Sequence, residues 1–200
     1  DLKTEIAIVG GGIAGLSVAY CLVRAGRKVV VVEDGFIGSG ETGRTTAHLV
    51  NALDDRYVEI ERVLGEEKCR IAAESHTEAI NFVEQIVSEH NINCEFKRLD
   101  GFLFLHPTDD KKTLDEEFVA TNKYGIRTEK IEGVPGMEGE TGVCLRFPDQ
   151  AQFHPLKYLR SLAEYVVRNC GAIYTETRIE DIGKTGVRSK DFRIDAEHIV

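Results

Sequence analysis

The sequence is short of basic residues, of paired cysteines, of proline and of long apolar runs, and each shortage removes a class of protein. Lysine and arginine number 25 against 34 aspartates and glutamates, a formal net charge of −9. A nucleic-acid binder normally needs the reverse, a basic face that releases counterions from phosphates. The five cysteines, Cys21, Cys69, Cys94, Cys144 and Cys170, form no Cys-x-x-Cys pair. They have no Cys/His spacing suited to zinc or iron–sulfur, and they read as free thiols of a reducing cytoplasm. His76, His90, His106 and His198 show no metal spacing either, so no metal ligand is assigned. No apolar stretch approaches the ~20 residues of a membrane span. Four prolines, no low-complexity segment and no internal repeat argue against disorder and against a repeat array. At 200 residues, 42% hydrophobic and 30% charged, the chain is long enough to bury a core. A soluble, cytoplasmic globular protein is expected, with no nucleic-acid partner and an oligomeric state the composition does not fix.

What is there begins at the N-terminus. Thr4–Gly10, TEIAIVG, is a short β-branched apolar run of the kind buried on both faces of a parallel sheet. Ile13, Leu16, Ala19, Tyr20 and Val23 then recur at helical spacing up to Gly26, and KVVVVED gives a second buried strand. This is a βαβ unit, and Gly10, Gly12 and Gly15 fit Gly-x-Gly-x-x-Gly within it. Gly10 permits the tight turn, Gly12 the approach of backbone to a pyrophosphate, and Gly15 the close packing of helix on strand. The amides near Ile13 and Ala14, at the start of the helix, are expected to point at phosphates. Glu33, with Asp34 beside it, ends the second strand, where a carboxylate accepts hydrogen bonds from ribose hydroxyls and repels a 2′-phosphate.

Helical patterns follow at about 54 to 64 and 66 to 90, with Asp54 and Asp55 read as the N-cap and first-turn charges of the first. Cys94–His106 reads as two strands around a turn at Asp100-Gly101. A helix at about 109 to 124, opened by Asp109 and Asp110, precedes strands near 127 to 132 and 142 to 147. His154 stands ahead of Pro155, which opens a helix at its first position, and strands near 172 to 175, 186 to 188, 191 to 195 and 198 to 200 finish the chain. The final run alternates like a strand and stops at Val200 inside an apolar segment, as expected of the N-terminal portion of a longer protein. The predicted class is α/β: a Rossmann-like dinucleotide domain interrupted by a mixed α+β substrate domain. Residues 1–90 form its first part, 91–150 the insertion, and 151–200 the return.

A second glycine-rich stretch, GSGETGRTTAHL (residues 38 to 49), follows the βαβ unit directly. Three segments together carry a resemblance: VGGGIAGLSVAYCLVRAGRKVVVVE (Val9–Glu33), SGETGRTTAHL (Ser39–Leu49), and the run from QAQFHPLKYLRSLAEYVVRNCGAIYTETRIEDI to DAEHIV. They resemble the FAD-dependent oxidoreductases of the D-amino-acid oxidase and glycine oxidase superfamily. The resemblance implies that Gly10, Gly12 and Gly15 bind the pyrophosphate and Glu33 the adenosine ribose. It implies further that Gly43, Arg44, Thr45, Thr46 and Ala47 line the path to the flavin, and that Arg178 and Ile179 give backbone contacts near the adenine. Gly40 and Gly43 are expected to let the backbone pass beneath the cofactor, and Arg44 to bring a positive charge toward the phosphates. His48 stands where some relatives attach FAD covalently. A polar contact and a purely structural role remain open beside that reading.

The implied activity is oxidation of a small amine or amino acid by hydride transfer to the flavin. In such chemistry the cofactor supplies the reactivity and the protein supplies orientation and a dry pocket, so no catalytic residue is assigned. TGRTTAHLVNALDDRY is most similar to a bacterial subgroup whose flavoprotein part is followed by a Rieske [2Fe–2S] domain. No Cys-x-His and Cys-x-x-His pattern occurs in these residues, so such a cluster would lie outside them. The alternatives are therefore a Rieske-linked flavin dehydrogenase and a non-catalytic nucleotide-binding module.

Overall fold

A computed structural model describes residues 2–106, 108, 110–137 and 141–200. In chain order the elements are β1 (Leu2–Val9), α1 (Ile13–Arg24), β2 (Val29–Val32), a 3-10 turn (Glu41–Arg44), β3 (His48–Leu49), α2 (Tyr57–Leu64), α3 (Glu66–Glu89) and β4 (Lys97–Phe104). There follow α4 (Lys112–Lys123), β5 (Glu129–Glu132), β6 (Val143–Gln152), α5 (Pro155–Arg168), β7 (Ala172–Tyr174), β8 (Ile179–Gly183), β9 (Gly186–Ser189) and β10 (Arg193–Ile199). The chain divides into two compact units. The first is Asp1–Thr46, Ile92–Cys94 and His154–Val200, and the second is Ala47–Asn91 and Glu95–Phe153. The boundary falls at 46/47, so α2 and α3, which lie within the expected first stretch of residues 1–90, belong to the second unit.

The first unit is built on a six-stranded sheet in the order β7-β2-β1-β10-β9-β8. β7, β2, β1 and β10 run parallel, and β10, β9 and β8 antiparallel. All four valines of β2 are buried, as a parallel strand covered on both faces requires. α1 buries Leu16, Ala19, Tyr20 and Val23 and stops where Gly26 takes a positive φ of 77° and its N–H bonds Val23 O at 2.9 Å. α5 opens with Pro155 at its first turn and buries Tyr158, Leu159, Leu162, Ala163 and Val166. The rings of Tyr20 and Tyr165 join the two helices with centroids 4.8 Å apart.

The second unit carries a sheet in the order β3-β6-β4, with β5 also paired to β6, all antiparallel. Its core gathers Tyr57, Cys69, Ala73, Leu114, Ala120, Tyr124, Ile126, Leu145 and Phe147 from α2, α3, α4 and β6.

Several expectations are corrected. Cys94–His106 holds one strand, β4, not two. Leu99 pairs with Gln150 and Gly101 with Phe147, so Asp100 stands opposite two residues of β6, Pro148 and Asp149, and the extra residue lies on β6, where Asp149 takes φ 62°. Both halves of β4 keep the same partner. The two strands expected at 191 to 195 and 198 to 200 are one, β10, paired with β1 from Ile194 to Ile199. β8 was not foreseen. Asp54 and Asp55 do not cap α2, whose N-cap is Arg56 at φ 57° with no side-chain cap. Its first amides go instead to Glu117, a carboxylate of α4 that is 1% exposed: Tyr57 N–H donates to Oε1 at 3.0 Å and Val58 N–H to Oε2 at 3.2 Å. The expected opening of α4 at Asp109 lies outside the described residues, and the helix begins at Lys112.

Candidate dinucleotide-binding site

The site belongs to the first unit, at the C-terminal ends of β1 and β2. Gly10 leaves β1 with φ 119°, and its N–H donates to Val32 O at 2.8 Å, so the turn is fastened to the end of β2. A Cβ on Gly15 would lie 2.0 Å from Gly10 O, which only a side-chain-free residue accommodates. α1 thus comes down close on the turn, as the spacing of the glycines predicts.

Gly12 is the N-cap of α1, with extended backbone and no side chain to offer. The first helical bond runs from Leu16 N–H to Gly12 O at 3.0 Å, so the amides ahead of it have no intrahelical acceptor. One of these, Ile13 N–H, donates to the Thr42 hydroxyl at 3.1 Å. The Ala14 and Gly15 amides remain at the positive end of the helix dipole, an arrangement that favours an anion.

Glu33 is half-buried at the end of β2. Its Oε2 accepts from Gly11 N–H at 2.5 Å and its Oε1 from Gly35 N–H at 2.9 Å. The carboxylate is therefore fixed at the mouth of the glycine turn, and two oxygens with about four acceptor positions between them keep capacity for further donors. The backbone of Glu33 bonds Tyr174 O and Thr177 N–H at 2.8 and 2.9 Å, which brings the segment after β7 to the same place. Arg178, exposed, and Ile179, the first residue of β8, follow it immediately. Asp34 points to solvent.

The second glycine loop is fastened to the first. Gly38 N–H donates to Gly11 O at 3.2 Å, and a Cβ on Gly38 would come within 2.6 Å of Leu156 Cδ2 and 3.0 Å of Leu159 Cδ1 of α5. Gly43 is required inside the loop, where its Cβ would lie 2.4 Å from Gly38 O, whereas Gly40 faces open space. Thr42, buried, is the residue the sequence reading left out. Arg44 is exposed and its guanidinium turns to Glu41, with Nη1 3.3 Å from Oε1. Thr45 and Thr46, exposed, end the first unit. Ala47 and His48 open the second: Ala47 has φ 65° and its carbonyl accepts from Phe153 N–H at 3.2 Å, and His48 is paired with Gln152 in β3. The structure therefore brings Gly10, Gly12, Ile13, Ala14, Gly15 and Glu33 together with Thr42 and the segment before Ile179. It does not bond Arg44 to that group. His154 is the N-cap of α5 and its N–H donates to Cys94 O at 2.6 Å, the structural role its position before Pro155 implies.

The architecture has counterparts among known proteins. L-proline dehydrogenase from P. horikoshii superposes with a TM-score of 0.81 at 21% identity, over 99% of this chain and 52% of that one. In sequence, the chain is 36% identical over 184 residues to "Putative Rieske 2Fe-2S iron-sulfur protein YhfW" of Bacillus subtilis, covering 92% of this chain and 36% of that protein. It is 27% identical over 210 residues to gamma-glutamylputrescine oxidoreductase of Escherichia coli, covering 100% of this chain and 49% of that protein. The chain thus spans less than half the length of these two sequence relatives. The model of the DAO family, FAD-dependent oxidoreductase, matches residues 5–200. With nearly its whole length matched, the glycine turn and its terminal glutamate included, the chain belongs to the DAO family of FAD-dependent oxidoreductases.

Proposed function

We propose that the first unit holds FAD and that the full-length protein oxidises a small amine or amino acid at the carbon α to nitrogen. The observation that carries the nucleotide assignment is the Glu33 carboxylate, fixed by the Gly11 and Gly35 amides beside the open N-terminus of α1. The residues present fit the cofactor. The turn at Gly10–Gly15 excludes side chains, the Ala14 and Gly15 amides are available to a pyrophosphate, and Glu33 retains acceptor capacity for ribose hydroxyls while rejecting a 2′-phosphate by like charge. Arg44, Thr45 and Thr46 extend the site toward the ribityl chain and ring, and the Arg178–Ile179 backbone serves the adenine. When bound, FAD supplies the electron sink for hydride transfer, and this chain contributes binding and orientation. The substrate class rests on the names of the relatives, one acting on gamma-glutamylputrescine and one on L-proline. A cytoplasmic site of action is part of the reading, supported by five cysteines that are all free thiols.

The test is the cofactor released by acid from the purified full-length protein. Chromatography is expected to show FAD and no NADP, and a preparation without flavin overturns the assignment. Glu33→Ala is expected to weaken FAD by about 1–3 kcal/mol, the scale of hydrogen bonds to a charged acceptor. A second reading, electron transfer from the flavin to a Rieske [2Fe–2S] centre elsewhere in the protein, is favoured by the name of the Bacillus subtilis relative. Two irons and two acid-labile sulfides per flavin in the full-length protein would establish it, and their absence would remove it.

A further inference from the structure

We infer that Thr42 is a positioning residue of the cofactor site: its hydroxyl caps α1 from the second glycine loop and so makes the two loops one binding element. The inference rests on the FAD reading above. A helix N-terminus is ordinarily capped by the N-cap residue itself, through a Ser, Thr, Asp or Asn side chain. α1 has Gly12 there and no cap of its own. A Cβ at Gly12 would stand 3.2 Å from Thr42 Oγ1, so the space a cap would occupy is filled from a residue 29 positions away, which accepts from Ile13 N–H at 3.1 Å.

The chemistry of that substitute is specific. An Asp N-cap would be a common choice, but its carboxylate would place a negative charge where the helix dipole is to receive a pyrophosphate. A hydroxyl satisfies the amide without charge. Thr42 is also 9% exposed, inside the 3-10 turn Glu41–Arg44, and three residues before that turn the Gly38 N–H donates to Gly11 O. The loop from 38 to 44 therefore meets the phosphate turn at two points, one backbone and one side chain. The second is made by a hydroxyl.

The experiment uses full-length apoprotein titrated with FAD, for wild type, Thr42→Val, Thr42→Ser and Glu33→Ala, with hydrogen exchange on the same samples. Thr42→Val keeps the volume and removes the acceptor. It is expected to weaken FAD by about tenfold, the scale of one lost hydrogen bond in a buried site. It should also speed exchange at the Ile13 amide and across residues 38–44, while amides from Leu16 onward stay protected. Thr42→Ser restores both readouts. Thr42→Ala gives the same comparison should valine not be accommodated. Wild-type FAD affinity in Thr42→Val with Glu33→Ala impaired overturns the role of Thr42 and leaves the nucleotide site standing. Wild-type affinity in both variants overturns the nucleotide reading itself. Loss of binding in Thr42→Ser as well as Thr42→Val, with Ile13 exchange unchanged, also overturns the capping role.

Discussion

Glu117 and Thr42 solve the same problem in the two units: each satisfies the opening amides of a helix whose own N-cap offers nothing. Glu117 does so with a charge that is 1% exposed, which is tolerable because both oxygens are engaged by amides at the positive end of α2. Glu117→Gln keeps one acceptor and turns the other end into a donor facing an N–H. It is expected to lower stability by about 1–3 kcal/mol, measured by urea unfolding. Gly15→Ala belongs to the same scale. With Gly10 O only 2.0 Å from the added carbon, α1 must move off the turn, and the full-length protein should lose its FAD while circular dichroism reports the helices retained. The glycines and Glu33 stand out in the sequence because they hold fixed spacings within one βαβ pattern. Thr42 and Glu117 do not, because the amides they serve lie 29 and 60 positions away in the chain, and nothing local distinguishes them from other Thr and Glu residues.

Among the elements, those with a buried stripe declared themselves: the valines of β2, the apolar face of α1, and α5 with its opening proline. Strands β4, β8 and β10 did not. β8, Ile179–Gly183, is exposed along nearly its whole length, so it shows no apolar alternation. β4 reads as a hairpin because Asp100-Gly101 has turn chemistry, but the pair lies in mid-strand, opposite the extra residue of β6. Here Arg146 Nε holds Asp100 Oδ2 at 2.8 Å across the pair with β6. β10 was divided at Ala196-Glu197 because the polar residues flanking that point face outward. α3 is clamped to β4 by Arg98, whose Nη2 meets Glu84 Oε2 at 2.5 Å and Asn81 Oδ1 at 2.8 Å. Its hydrogen bonds hold the Glu84 carboxyl below the ordinary glutamate range. A carboxyl lowered in the folded state adds stability above its unfolded pKa and loses it as pH falls through the folded value. The stability gap between wild type and Glu84→Gln is therefore expected to be full at pH 7 and to close as the pH is taken below the ordinary glutamate pKa, measured by urea midpoints across that range.

For the whole molecule, the first compact unit leaves off at Thr46 and resumes at Ile92–Cys94 and His154, where the sequence reading set its first stretch at residues 1–90. Helical periodicity states that α2 and α3 bury a face, and it does not state against which sheet. Their apolar residues Tyr57, Cys69 and Ala73 meet Leu145 and Phe147, and β6 is reached only 77 residues after α3 begins. Phe147, 1% exposed, is the test at this scale. Phe147→Ala is expected to cost about 3–5 kcal/mol, with amide exchange rising in α2, α4 and β6 and remaining at wild-type rates in β1, β2 and α1. One feature of the first unit has a meaning in time as well as in space. β1, with Leu2 opposite Ile194 and Ala7 opposite Ile199, takes one of its two neighbours from a strand made last among those described. At roughly 5–20 residues per second of synthesis, β1 and β2 exist for about ten to forty seconds with one hydrogen-bonding edge of β1 open. An edge of that kind is open to pairing with another nascent chain through the interval between translation of Val9 and of Arg193.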